Sequence, residues 1–307
     1  MKVLVADRIH DDGIRILKDS GFEVVQNYQI DEEELKEEIE KFTAVIVRSR
    51  TKITAEILER ARNLKVIGRA GVGLDNIDLE KAEELNVKVF NTPNAPSVSV
   101  AELTLGLLLS LVRYISKADE TMHCGNWNKS KYMGTTLKGK KIGLIGFGNI
   151  GHEVATRCKA FEMEIGVYDI APDIIQEAKD LGYTVFNTID DLIKGSQIIT
   201  LHLPSTVETE NIINERNLGL MDADDLIINT ARGNLIDEKA LLKALEAGEI
   251  GGAALDVYRE EPLNDREMCN CEENLILTPH IGSQTKETQI QASIMIANKI
   301  KNYLENL

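Results

Sequence analysis

The sequence predicts an α/β protein built from two doubly wound parallel sheets. Three observations carry that prediction. Short apolar runs alternate with amphipathic helical stretches along the whole chain, the pattern of strands covered by helices on both faces. A length of 307 residues suits two domains, each able to bury a substantial core. The run Lys141–Asp169, KIGLIGFGNIGHEVATRCKAFEMEIGVYD, places strand, glycine-rich turn, helix and second strand in the order of a βαβ unit.

Residues 1 to about 94 leave little between their elements. The predicted strands are Val3–Ala6, Glu23–Val25, Ala44–Val47, Lys65–Ile67 and Val87–Phe90, with helices near 11–20, 31–40, 54–62 and 78–85. Asp31 starts the second helix as an N-cap, and Glu32–Glu34 complement the helix dipole. Thr54 is expected to cap the third in the same way. The acidic load of these helices reads as a solvated face. Asn91–Pro96, with two prolines, reads as a stiff linker or turn. The helix expected over Val98–Ser116 is apolar around most of its circumference, so it should be buried between domains or against a second subunit. The stretch Asn126–Gly139, with Trp127, Lys129 and Lys131, reads as loop.

In the βαβ unit, Gly146, Gly148 and Gly151 form G-x-G-x-x-G. The first permits the tight turn, the second lets backbone approach a pyrophosphate, and the third packs helix on strand. The helix starting at Asn149 and Ile150 offers unpaired N–H groups to phosphates. Asp169 ends the second strand 18 residues after Gly151, where a ribose-binding acid is expected. A carboxylate there repels a 2′-phosphate, and no cation follows in Ile170-Ala171-Pro172, so the predicted cofactor is NAD.

Further strands are predicted at Thr184–Phe186, Ile198–Leu203, Leu226–Asn229, Ala253–Val257 and Leu275–Leu277. Helices are predicted over 173–181, 188–193, 208–214, 238–246 and Thr285–Leu307. Chemistry-bearing residues collect at strand ends, where ligands bind in such sheets. Asn229-Thr230-Ala231-Arg232 offers a guanidinium fork for a carboxylate. Asp256 sits at the end of a strand of small residues, and a buried acid there needs partners. Glu260 and Glu261 follow and are equivalent on physical grounds alone. His280, after Thr278-Pro279 and before Gly282-Ser283, is placed to exchange a proton near neutral pH. His202 ends a strand beside Pro204 and joins the cofactor-lining candidates; His10, His123 and His152 read as bystanders. In the first half, Arg48, Arg50, Arg69 and the glycines Gly71 and Gly73 follow two strands. They form either an anion site, with Gly71 and Gly73 letting backbone N–H groups point into it, or an ordinary solvated loop.

Composition narrows the function classes. Hydrophobic residues at 43% and charged residues at 28% are those of an ordinary globular chain, and a net charge of −15 argues against nucleic-acid or anionic-membrane binding. Cys124, Cys158, Cys269 and Cys271 lack metal-site spacing or disulfide density, and no metal is expected. MKVLVAD has no signal-peptide architecture, and the longest apolar stretch, Leu103–Val112, is about half a bilayer span. These features point to a reducing cytoplasm.

The runs GRAGVGLDNID (68–78), NTPN (91–94), AELTLGLLL (101–109), GFGNIG (146–151), NTARG (229–233), DVYREEP (256–262) and TPHIG (278–282) resemble the D-2-hydroxyacid dehydrogenase family over nearly the whole chain. VRSRTKIT (47–54), KYMGTTLKGK (131–140) and TKETQ (285–289) are most similar to its phosphoglycerate dehydrogenase branch. The resemblance implies a Rossmann NAD domain over 95–283 and a discontinuous flavodoxin-like substrate domain over 1–94 and 284–307. It implies a catalytic trio of Arg232 on the substrate carboxylate and carbonyl, His280 as acid/base, and Glu261 (not Glu260) holding His280 and raising its proton affinity. NAD contacts are implied for Gly146, Gly148, Asn149, Ile150, Gly151, Asp169, Thr230, Ala231, Arg232, Asp256, His280 and Ser283. Substrate contacts are implied for Arg48, Arg69, Val72, Arg232 and His280. The motifs depart from the family pattern at Ala95-Pro96-Ser97 and Gly282-Ser283-Gln284, so local contacts there are expected to differ.

The expected reaction is NAD-dependent oxidation of D-3-phosphoglycerate to 3-phosphohydroxypyruvate, the chemistry of serine biosynthesis, in a cleft between two domains. A homodimer through helix 98–116 is expected, with Lys129 or Lys131 reaching a neighbour's site. Long-form relatives carry a C-terminal regulatory domain beyond the position of Leu307, so serine feedback through it is expected to be absent. Three alternatives share many of these residues. They are a glyoxylate, hydroxypyruvate or D-lactate reductase, a formate or phosphite dehydrogenase, and an NAD-sensing binding protein resembling the C-terminal binding protein corepressors.

Overall fold

The computed structural model describes residues 1–307 and divides into two compact units, Met1–Pro96 with Ser283–Leu307, and Ser97–Gly282. The second unit is thus inserted into the first. In chain order the first unit opens with β1 (Lys2–Val5), α1 (Asp11–Asp19), β2 (Glu23–Gln26), α2 (Glu32–Glu38), β3 (Ala44–Val47), α3 (Ala55–Arg60), β4 (Val66–Arg69), α4 (Leu79–Glu84) and β5 (Lys88–Phe90). Its sheet runs β2-β1-β3-β4-β5, every pair parallel, so the order reverses between β1 and β3. All four residues of β3 are buried, as an apolar run between two helix layers requires.

The helix starts follow local chemistry. Asp31 accepts from the Glu34 amide at 2.8 Å and Asp78 from the Lys81 amide at 2.9 Å, satisfying first-turn donors of α2 and α4. Thr54 occupies the same position before α3 but makes no cap bond; its Oγ1 is buried without a partner, contrary to the expected cap.

The inserted unit contains α5 (Ser97–Arg113), α6 (Ile115–His123), β6 (Lys141–Ile145), α7 (Asn149–Ala160), β7 (Glu164–Tyr168), α8 (Pro172–Asp180), β8 (Thr184–Val185), α9 (Ile189–Lys194), β9 (Ile198–Leu201), α10 (Glu215–Leu218), β10 (Leu226–Asn229), α11 (Glu238–Glu246), β11 (Gly252–Leu255), α12 (Arg266–Cys269) and β12 (Leu275–Leu277). Its sheet order is β12-β11-β10-β9-β6-β7-β8, again all parallel, and reverses between β6 and β9. One apolar core lies under α9 and α11 with Leu201, Ile227 and Leu241; the other joins Leu108 and Leu111 of α5 to Ile142, Val154 and Ile228. The expected helix over 98–116 stops at Arg113 because Tyr114 takes a left-handed conformation (φ 55°), and α6 starts afresh at a bend of 67°. No single helix is long and apolar enough to cross a membrane. Residues 208–214, expected as helix, form a turn over 208–211 and a bridge from Ile213 to Ile236, and α10 starts only after Asn214 caps it through the Arg216 amide.

The chain then returns to the first unit as α13 (Lys286–Glu305). Ile296 and Ile300 are fully buried against Val3, Val5, Ile46 and Val66. Gly68 lets them lie directly on β4, and Gly13 brings α1 against the backbone of Ser293. Each isoleucine so buried contributes about 1.5–3 kcal/mol.

Candidate active site

Reversal of sheet order leaves a crevice beyond the carboxyl ends of the flanking strands. In the second unit those strands are β6 and β9. Gly146 leaves β6 at φ +93°, and a Cβ there would meet the His202 carbonyl at 2.7 Å, so the turn tolerates only glycine. Gly151 faces the Gly146 carbonyl at 2.6 Å from its would-be Cβ, whereas Gly148 has no atom within 4 Å and leaves its backbone open to a ligand. No side chain caps α7, so its first turn can present amides to an anion, with Asn149 and Ile150 as the first helical residues. Asp169 closes this turn: one carboxylate oxygen accepts from the Phe147 amide at 2.8 Å and the other from Ala171 at 2.9 Å.

His202 borders the same turn. Burial pushes its pKa down to about 3, so the ring is neutral and serves no proton transfer near pH 7. Nε2 lies 3.1 Å from Thr200 Oγ1, and Nδ1 is buried without a partner. An open glycine backbone, an uncapped helix start, an acid at the second strand's end and an orphaned polar atom together fit a dinucleotide.

The remaining candidates gather beyond β10, β11 and β12. Glu261 Oε2 and His280 Nδ1 are 2.7 Å apart. The side chains are 37% and 45% exposed, so as an ion pair they contribute only ~0–1 kcal/mol to stability, and some other demand must hold them together. Burial alone would raise the Glu261 pKa; the hydrogen bond and charge of His280, the Tyr258 amide and the Arg232 charge outweigh it and hold the carboxyl below its ordinary value. Its stabilising effect is therefore complete above the unfolded carboxylate pKa and disappears as pH falls through the lowered folded value. In His280→Ala the burial persists while the largest opposing contributions vanish, so Glu261 is expected to titrate at higher pH than in the parent. Carboxyl ¹³C NMR reads this directly, and an unchanged midpoint would contradict the assignment of the shift to His280.

His280 is itself strained, with φ 51° in the left-handed region, a conformation that costs about 1–3 kcal/mol and is held only where surroundings impose it. Asp256 imposes it. One residue past β11 and 1% exposed, its carboxylate accepts from Thr278 Oγ1 (2.6 Å), the Ile281 amide (2.8 Å) and the Gly282 amide (2.8 Å), so it braces the loop on both sides of His280. Tyr258 Oη adds contacts to the carbonyls of Leu255 (3.1 Å) and Thr278 (2.8 Å).

Arg232 leaves β10 with its carbonyl held by Asn229 Nδ2 at 2.8 Å and its Nη1 donating to the Ala231 carbonyl at 2.6 Å. Asn229 Oδ1 also accepts from the Ala231 amide at 3.0 Å. The Thr230 hydroxyl points instead to Thr104 of α5, at 3.0 Å. Ser283 belongs to the first unit, where its carbonyl accepts from Gln289 Nε2 at 3.0 Å.

In the first unit Arg48 and Arg69 lie just past β3 and at the end of β4. A Cβ on Gly71 would overlap the Arg69 guanidinium, so that glycine keeps room for it. The Val72 carbonyl accepts from Asn91 Nδ2 at 2.6 Å. Cys158 is buried and its thiol is pushed up to about 12 by burial, which makes it inert. No group of three or more metal-ligating side chains converges anywhere in the chain.

Comparison with known proteins places the chain. Residues 105–282 match the NAD binding domain of the D-isomer specific 2-hydroxyacid dehydrogenases. A D-3-phosphoglycerate dehydrogenase of Methanocaldococcus jannaschii is 45% identical over 99% of the chain, although the chain spans only 57% of that protein's length. A hydroxypyruvate reductase of Thermotoga maritima is 42% identical, with 97% of each chain covered. A crystal structure of a Thermus thermophilus protein superposes with a TM-score of 0.90 at 33% identity, covering 100% of this chain and 97% of that one. The chain belongs to the D-isomer specific 2-hydroxyacid dehydrogenase family.

Proposed function

We propose that the protein is an NAD-dependent D-3-phosphoglycerate dehydrogenase that forms 3-phosphohydroxypyruvate, a step of serine biosynthesis. The observation that carries the reading is the Glu261–His280 pair, held at 2.7 Å on a strained backbone in the same unit as the dinucleotide turn. NAD, held by the turn at Gly146–Gly151 and by Asp169, supplies the acceptor for the hydride leaving C2 of the hydroxy acid. Glu261 occupies His280 Nδ1, so Nε2 is the atom that takes the hydroxyl proton in oxidation and returns it in reduction. The Arg232 fork grips the substrate carboxylate and steadies charge on the C2 oxygen. Arg48 and Arg69, in the first unit, receive the phosphate. Asp169 favours NAD over its 2′-phosphorylated counterpart.

The test is an NADH absorbance assay across phosphorylated and unphosphorylated 2-hydroxy and 2-oxo acids. Turnover is expected to favour the phosphorylated acid. Arg48→Ala is expected to raise its KM about tenfold to a hundredfold, the worth of a charge-assisted hydrogen bond, and to leave D-glycerate nearly unaffected. Equal losses on both substrates would refute the phosphate role. A second reading, hydroxypyruvate or glyoxylate reduction, draws on the Thermotoga maritima relative, which matches this chain along nearly its full length. It predicts equal turnover without phosphate. Absence of any turnover would leave NAD sensing as the function.

A homodimer is part of the proposal. Its expected seam is the stretch 98–116, where Val98 and Ile115 keep exposed apolar side chains that a second copy would cover. Such packing would bring Lys129 or Lys131 toward a neighbouring site. Four free thiols, two of them exposed, support a reducing, cytoplasmic location.

A further inference from the structure

Asp7 plays no part in the chemistry above, yet it occupies the point where the first sheet reverses. It lies two residues past β1 and is 4% exposed. Its carboxylate accepts from the Arg48 amide (2.5 Å), Arg50 Nε (2.9 Å), the Thr51 amide (3.2 Å) and Thr51 Oγ1 (2.8 Å). On the other side of the same bend, Asn76 Nδ2 donates to the carbonyls of Arg48 (2.8 Å) and Thr51 (2.6 Å). The bend from Arg48 to Thr51 is thus clamped through amides by Asp7 and through carbonyls by Asn76.

The clamp treats its two arginines differently. Each guanidinium nitrogen of Arg50 has a partner: besides Asp7 at Nε, Nη1 donates to the Ile30 carbonyl (3.1 Å) and Nη2 to the Ala6 carbonyl (2.8 Å). Its charge cancels that of the buried carboxylate. The Arg48 guanidinium makes a single long contact, Nη1 to the Arg8 carbonyl at 3.5 Å. Burial lowers its pKa and Asp7 only partly restores it, the state of a guanidinium short of an anion.

We propose that Asp7, supported by Asn76, is a positioning residue that presents the Arg48 guanidinium to the substrate phosphate, with Arg50 neutralising Asp7 so that it does not repel the anion. This rests on the reading of Arg48 as the phosphate ligand. A carboxylate beside an anion site is ordinarily unfavourable; here it orders the backbone that carries the binding charge, and its own charge is already answered.

The test measures KM and kcat of the full chain with NAD on D-3-phosphoglycerate and on D-glycerate, for the parent, Asp7→Asn, Arg48→Ala and the double variant. Asp7→Asn is expected to raise KM for the phosphorylated acid about tenfold, while kcat and KM for D-glycerate move less than about twofold. In the double variant the Asp7 loss should disappear, because its effect runs through Arg48. Equal losses on both substrates, or losses that multiply in the double variant, would overturn the proposal. Should Asp7→Asn fail to fold, Thr51→Val decides: a rise of about threefold in KM for the phosphorylated acid alone supports the clamp, and no change overturns it. If Arg48→Ala shows no phosphate effect, the functional reading falls and the clamp with it. If Arg48→Ala shows that effect and Asp7→Asn does not, the clamp alone falls.

Discussion

His280→Ala is expected to lower kcat by about 10²–10⁴-fold, the typical worth of a positioned acid–base group, while the Kd for NAD stays nearly unchanged. His202 is held neutral by burial and the Glu261 carboxyl is held below its ordinary value by its neighbours, so neither is placed to exchange a proton near neutral pH. Asp169 closes the dinucleotide turn through the Phe147 amide, while Asp256 braces the His280 loop through the Ile281 and Gly282 amides, so removing the imidazole leaves the turn's own hydrogen bond in place. Arg232→Ala is expected to behave alike, with the loss divided between KM and kcat, because the carboxylate contact proposed for Arg232 would exist in ground and transition states. Stopped-flow turnover beside calorimetric NAD titration separates these quantities. Full turnover in either variant would refute the catalytic assignment.

Gly233→Ala is expected to be as damaging although glycine carries no chemistry. A Cβ at this position would overlap the backbone of Tyr258 and Arg259, and main chain has no rotamer by which to yield. The segment after Arg232 would have to separate from the segment leading to Glu261. Overpacking of this kind costs about 1–3 kcal/mol, so the melting temperature should fall, and kcat should fall further because the Arg232 and Glu261 segments lose register. Gly148→Ala is the natural contrast. Nothing lies within 4 Å of its would-be Cβ, so stability should hold and NAD affinity alone should weaken. A Gly233→Ala variant with parental melting and turnover would show that this close approach is dispensable.

Much of the fold was legible in the sequence because strands buried on both faces read as apolar runs. Ala44–Val47 and Leu226–Asn229 begin and end where those runs do. The glycine turn and Asp169 were legible for a related reason, since close backbone approach leaves a residue-type signature. The break at Tyr114 was not, because a bulky residue forced left-handed by its surroundings looks locally like any helix residue. Arg48 and Arg50 were equally opaque: in Arg-Ser-Arg they are twins, and only a carboxylate more than 40 residues earlier tells them apart. The same holds for Asp256, whose partners Thr278, Ile281 and Gly282 arrive from the next strand. Parallel sheets place functional neighbours a whole crossover apart, and local pattern does not extend that far.

The insertion of one unit into the other sets a schedule for the chain's birth. The first sheet is synthesised by Phe90, but the residues that seal one of its faces, Ile296, Ala297 and Ile300, follow roughly 200 residues later. At translation speeds of about 5–20 residues per second, Val3, Val5, Ile46 and Val66 wait roughly 10–40 s for their cover. The inserted unit, contiguous in sequence, can close during that interval, so the unit begun first is the one finished last.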